Sequence, residues 1–289
     1  MKRDYYKKSL KKGKDLPLYS RHEIPLYLQS NPYINEYHRA YYDFYQCFRS
    51  IMAIHAETGA IWTHLIGVLF FTGLLFWYFL ARCPTEANFM DKLVILLFFL
   101  SSIKCLFFST CYHTFCPHHD LQNFHRTAIL DYCGISLLIF GSFSSLTYFC
   151  LYYYPSHQLI YFLVLFGVFL VMILIPWFAF FRCHSFARGR TLFYMSSGAI
   201  CTLSLWHSLS IVEGEGVGLD LTGLHLELAL YSIGALVYYF RFPERVWPGD
   251  FDLLMNSHQI WHVLVLMGAF CHFLCLDGLV IKRTSFISA

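Results

Sequence analysis

Charge is what this chain has least of. Asp, Glu, Lys and Arg make up only 13% of its 289 residues, against 57% hydrophobic residues and a mean hydropathy of +0.49. A soluble domain carries about 25% charged residues. One soluble core could not hide this much apolar surface, so a polytopic membrane protein is the class that fits. Other things are missing as well. No two cysteines form a C-x-x-C pair, which excludes a zinc ribbon. There is no phosphate-binding glycine loop and no G-x-S-x-G. The last apolar run contains no lysine, so a retinal Schiff base has no anchor. No basic stretch alternates with aromatics, which argues against a nucleic-acid partner. The first 50 residues hold ten Lys/Arg. They include no apolar core of about 7–15 residues, so a cleaved signal peptide is not expected and the first apolar run directs insertion.

Eleven cysteines are present, but most lie inside apolar runs (Cys105, Cys133, Cys201, Cys271, Cys275). There a free thiol behaves as a small hydrophobe. A bridge between Cys83 and Cys150 stays open as one alternative, since both fall toward the same end of their runs.

Seven runs have the length of a span or nearly so: Ile61–Leu80, Leu93–Phe115, Ala128–Tyr154, Leu159–Phe181, Leu192–Val212, Leu224–Phe240 and Ile260–Leu276. The links between them are short, which favours antiparallel neighbours in one bundle. Lys/Arg counts orient the bundle. With the N-terminus inside, the inner segments hold sixteen Lys/Arg and the outer segments four. The expected fold class is an all-α membrane protein, a seven-transmembrane helix bundle with its N-terminus inside and its C-terminus outside. Ahead of the first span, Tyr41, Phe44, Tyr45, Phe48 and Met52 recur at helical spacing. They predict an amphipathic helix that either lies on the inner membrane face or packs under the bundle. The expected organisation is a basic cytosolic tail (1–36), a membrane-surface helix (37–57), the seven-span domain (58–278) and a short extracellular or luminal tail (279–289).

Ionisable groups within spans are costly and default to function. Ser109 and His113 fall near the inner end of the second span, Asp131 about one turn into the third, and His258 and His262 at the inner start of the seventh. Both pairs are spaced i, i+4, so each shares one helical face. Three imidazoles at one depth can chelate one ion, and three protein ligands mark an open, catalytic type of zinc site. Imidazole also suits iron and copper. The alternative is that each His is a hydrogen-bonded packing residue, as His64, His207, His225 and His272 are expected to be. Asp131 is either a proton acceptor for water beside the ion or half of a salt bridge with Lys104 or Arg190. Ser109 either serves a reacting carbonyl or bonds back to its own helix. Arg190, opening the fifth span, reads from position alone as a positive-inside anchor.

Several stretches resemble the progestin and adipoQ receptor family, most closely its adiponectin receptors. They are NPYINEYHRAY, HAETGAIWTHLIG, FSTCYHTFC, LDYCGISLLIFGSF, VEGEGVG and RFPERVWPGDFDLLMNSHQIWHVLVLMGAFCHF. The likeness runs in order from about residue 30 to 275. It implies seven helices with the N-terminus inside and Zn2+ held by His113, His258 and His262. It also implies that Asp131 touches the water at the zinc, and that Tyr132 and Arg190 hold a fatty-acid carboxylate. That moves Arg190 from anchor to lipid-binding residue. The implied activity is that of a receptor with zinc-dependent hydrolysis of a lipid amide such as ceramide, with Asp131 and Ser109 as catalytic residues. The rival is a signalling receptor or scaffold whose zinc is structural. The implied partners are ceramide or free fatty acid, an extracellular protein ligand of the adiponectin type and a cytosolic adaptor at the N-terminal region. The implied location is the plasma membrane.

Overall fold

Six apolar helices dominate the chain. The computed structural model describes residues 16–212 and 220–288. Most of the VEGEGVG stretch and the first part of the basic tail lie outside the described residues. A short helix α1 (Phe44–Ser50) is followed by α2 (Thr58–Trp77), α3 (Phe89–Phe115), α4 (Leu121–Cys150), α5 (Pro155–Leu174), α6 (Ala187–Val212), α7 (Thr222–Phe240) and α8 (Ser257–Ser288). Among the described residues, six helices are long and apolar enough to cross a membrane: α2, α3, α4, α5, α7 and α8. The fifth expected span is α6, with 26 residues. It matches the others in length but carries Arg188, Arg190 and a series of serines and threonines, so it is less apolar.

The long helices close into a ring, each packing on its neighbours in sequence and α8 returning to α2. α4 also touches α6 and α8 across the middle. Close approach of α3 and α4 depends on Gly134, where an added Cβ would lie 3.0 Å from the Cys105 Cα. The outward faces are apolar: Leu69, Phe76, Leu80, Leu163 and Leu203 are each more than 60% exposed. α5 buries only Tyr161, Leu165 and Met172. A molecule in water would not leave such a surface bare, whereas lipid covers it without cost. Cys83 and Cys150 are both free thiols, so the bridge between them is not formed.

Polar groups buried in the bundle fall into two ends. Toward the start of α3, Asp91 is fully buried, pairs with Arg283 and accepts from the Tyr148 hydroxyl (2.9 Å). Nearby, His272 meets Glu227 (2.8 Å) and Ser145 (3.2 Å). On the exposed faces toward the same end, His207 meets the Tyr161 hydroxyl and His225 packs beside Trp206. The opposite end, where α3 finishes and α2, α4 and α8 begin, holds the candidate site.

The expected surface helix is shorter than its spacing suggested. Asp43 caps α1 by accepting from the Gln46 backbone, and Tyr41 lies before the helix with a φ of 63°. Gln46, Cys47 and Ser50 face the bundle, while Phe44, Tyr45, Phe48 and Met52 are 56–80% exposed. One face packs under the bundle and the other is free to enter the membrane interface. Upstream, residues Leu18–Tyr19 (β1) and His38–Arg39 (β2) form a minimal antiparallel pair.

Candidate metal centre

Local sequence dictates how three imidazoles meet. His258 and His262 stand one turn apart on α8, so both project from one face. His113 stands on the last turn of α3. The His258 Nε2 lies 3.1 Å from the His113 Nε2 and 3.2 Å from the His262 Nε2. The ligand atoms of all three fall within 4.8 Å of one another. Tetrahedral coordination at about 2.0–2.1 Å per Zn–N bond sets neighbouring nitrogens about 3.3 Å apart, close to these separations.

The partners of the other ring nitrogens suit a set of metal-donor atoms. The His113 Nδ1 is 2.7 Å from the Glu57 Oε2, and the His262 Nδ1 is 3.1 Å from the Ala60 carbonyl. A carboxylate and a carbonyl only accept, so in the neutral rings both protons sit on Nδ1. Both Nε2 atoms then present lone pairs. The His258 Nε2 faces each of them and can donate to only one. At least one pair of lone pairs is opposed unless a cation lies between them. The residues present therefore fit a metal ion, and the contacts that fix the ring tautomers are those that metal-bound histidines need.

The start of α8, which carries two of these rings, interlocks with the start of α2. Gln259 donates to the carbonyls of Ala56 (3.1 Å) and Leu253 (2.9 Å) and accepts from the Met255 N–H (2.9 Å). It passes so near α2 that an added Cβ at Gly59 would lie 2.5 Å from its side chain, which is why a residue without a side chain sits there. His55 is fully buried; it contacts the Ser50 carbonyl (3.0 Å) and accepts from the Glu57 N–H (3.1 Å). Burial, then the charge of Arg39, pushes its pKa down to about 3, so it is neutral and holds the loop that aims Glu57 at His113.

Asp131, Tyr132 and Arg190 border one cavity of about 150 Å³ that also has His113, His258 and Glu57 in its walls, and Ser109 is not among its lining residues. The Ser109 hydroxyl is within hydrogen-bonding reach of Asp131. Among the described residues Asp131 forms no salt bridge to Lys104 or Arg190. Arg190 donates through Nη1 to the carbonyls of Phe181 (2.7 Å) and Cys183 (2.8 Å), and its guanidinium stands 5.5 Å from the centre of the Tyr132 ring. His64 is 4% exposed and stacks on His262 at 3.8 Å, with neither ring nitrogen bonded. It is not one of the converging ligands.

Sequence reasoning passed over Glu57. It was visible only as a carboxylate at the mouth of an apolar helix, inside HAETGA. Changing Glu57 to Gln keeps an acceptor for His113 and removes the charge. Metal affinity measured by chelator competition is expected to fall about 10–100-fold, the scale for partners of metal-bound histidines. Unchanged affinity would show that the charge has no part in the site.

The comparisons with known proteins agree with this architecture. Residues 52–273 match the family model described as haemolysin-III related. The adiponectin receptor protein of Drosophila melanogaster is 36% identical over 91% of this chain and 60% of its own length. Progestin and adipoQ receptor-like protein 1 of Caenorhabditis elegans is 32% identical over 90% of this chain and 60% of its own length. The ADIPOR-like receptor IZH2 of Saccharomyces cerevisiae is 30% identical over 88% of this chain and 81% of its own length. The chain thus spans about 60% of the fly and nematode relatives. With this alignment over its helical core, the chain belongs to the haemolysin-III-related family of adiponectin and progestin and adipoQ receptors.

Proposed function

We propose that this multi-pass membrane protein binds one zinc ion at His113, His258 and His262 and hydrolyses a lipid amide of the ceramide type. The observation that carries the reading is the convergence of three Nε2 atoms beside a cavity that also presents Asp131. Three protein ligands leave a position for substrate or water, the arrangement of catalytic zinc. Bound there, zinc supplies a Lewis acid that polarises a carbonyl and lowers the pKa of water to about 7.

The protein's own groups do the rest. Asp131 accepts a proton from the attacking water and delivers it to the amide nitrogen as the C–N bond breaks. Water and amide thus become a carboxylic acid and an amine. Ser109 holds the Asp131 carboxyl in place. Glu57 and the Ala60 carbonyl fix the tautomers of His113 and His262. Tyr132 and Arg190 receive the released carboxylate, for which a guanidinium is suited.

A second reading is a signalling receptor whose zinc is structural. The relatives' own names describe receptors, and Arg190 already serves two backbone carbonyls as a strut would. In that case an extracellular protein ligand and a cytosolic adaptor at the N-terminal region are the working partners. Elemental analysis and a ceramide-hydrolysis assay on the same purified sample separate the two. Zinc with turnover supports the hydrolase; zinc without turnover supports the receptor alone.

The topology in this proposal has seven spans, α6 included, in the plasma membrane with the N-terminus in the cytosol. The sixteen-to-four distribution of Lys/Arg supports that orientation. An N-terminal epitope tag on intact cells is expected to stain only after permeabilisation, and a C-terminal tag before it. The reverse pattern would refute the orientation.

A further inference from the structure

Two of the helix ends that carry the histidines are held by one short stretch upstream of both. Residues 31–39 run beneath the site, between the end of α3 and the turn before α8. At one end, the Asn31 Nδ2 donates to the Glu244 Oε1 (2.8 Å). Glu244 is fully buried, and its carboxylate also accepts from the backbone N–H (2.7 Å) and the hydroxyl of Ser257. Ser257 is the first residue of α8 and immediately precedes His258. At the other end, Arg39, 4% exposed, donates from Nη2 to the carbonyl of His113 itself (2.5 Å), and from Nη1 to the Ser50 hydroxyl. Between these points the Asp252 carboxylate accepts from the backbone N–H groups of Asn35 (3.0 Å) and Glu36 (2.9 Å), and the Tyr33 carbonyl accepts from Gly249 (3.3 Å).

We infer that residues 31–39 are a clasp whose Asn31 and Arg39 are positioning residues for the metal centre, acting through Glu244–Ser257 on His258 and through the His113 carbonyl on His113. The inference rests on the reading of the three histidines as metal ligands. The physical reason is geometric. His113 and the His258/His262 pair belong to different helices, and coordination tolerates about 0.5 Å of misplacement. Lipid-facing helices slide and tilt more readily than that unless their ends are tied. A buried guanidinium on the His113 carbonyl at one end, and at the other a buried carboxylate shared by the Asn31 amide and the Ser257 N–H, supply such a tie, since bonds to charged groups are among the stronger ones.

The test uses the whole zinc-loaded chain in detergent and follows zinc extraction by an excess of a colorimetric zinc chelator, which takes up the released ion itself. The variants are Asn31→Ala and Arg39→Met. Glu227→Gln is the control: it breaks the pairing with His272 at the other end of the bundle and touches no part of the clasp. The melting temperature of each zinc-free protein is measured alongside. Expected is extraction at least about tenfold faster than wild type in both clasp variants, with Glu227→Gln releasing zinc at the wild-type rate even where its melting temperature falls as far. Clasp variants that release zinc no faster than Glu227→Gln, or rates that merely follow melting temperature in all three, would overturn the clasp. Asn31→Ala removes two bonds of one half-buried side chain, the one to Glu244 and the one from the Tyr33 N–H (3.1 Å), so it keeps the test decisive if Arg39→Met does not fold. A wild-type protein that holds no zinc would overturn the metal reading instead, and is recognised before any variant is compared.

Discussion

Replacing His258 and His262 together with Ala is expected to leave the purified protein without zinc, where the wild type is expected to carry about one ion per chain. The two imidazoles supply two of the three converging nitrogens, and a lone His113 cannot hold an ion against competing water. Each single Ala change at His113, His258 or His262 should also lose metal or loosen the bundle. His207→Ala should keep the ion, because His207 is occupied with the Tyr161 hydroxyl at the other end of the molecule. The aromatic core of Phe71, Phe98, Phe99 and Phe273 does not include the triad, so the double variant should still fold. Its stability should no longer respond to zinc. For the wild type, free zinc at about 100 times Kd adds about 2.7 kcal/mol, so chelation should lower its melting temperature and leave that of the double variant unmoved. Full zinc in the double variant by elemental analysis would remove the site.

How much of this could be read in advance depends on how each residue acts. The three histidines were legible because helical spacing and depth are both one-dimensional: i, i+4 pairs share a face, and the order of apolar runs gives the end at which they lie. Asp131 was legible for the same reason. Glu57, Gln259 and Glu244 were not. Glu57 acts from a helix mouth, where a carboxylate is ordinary. Gln259 and Glu244 work through backbone groups of Ala56, Leu253 and Ser257, and a backbone partner leaves no signature in the residue types. α1 was read too long because aromatic spacing continued through Tyr41. The positive φ of Tyr41 and the Asp43 cap end the helix before it reaches that residue. Arg190 was read first as an anchor. Its bonds to the Phe181 and Cys183 carbonyls fit that view, and its place in the cavity wall fits the other.

Asp131→Asn is the change that tells chemistry from scaffold. The amide has nearly the size of the carboxylate and can still accept a hydrogen bond from Ser109, but it takes up no proton near neutral pH. If Asp131 only braces the junction of α3 and α4, the variant should lose some stability and hydrolyse ceramide in proportion to the folded protein present. If Asp131 moves the proton between water and the leaving nitrogen, the variant should keep its zinc, since the three imidazoles are untouched, while turnover falls about a hundredfold or more, the usual scale for a lost general base. His113→Ala should abolish both zinc and turnover, which separates holding the ion from moving the proton. Single-turnover hydrolysis on samples matched for bound zinc makes the measurement. A folded, zinc-loaded Asp131→Asn protein that turns over ceramide at the wild-type rate would exclude Asp131 as the base. Absence of turnover in the zinc-loaded wild type would leave the receptor reading in its place.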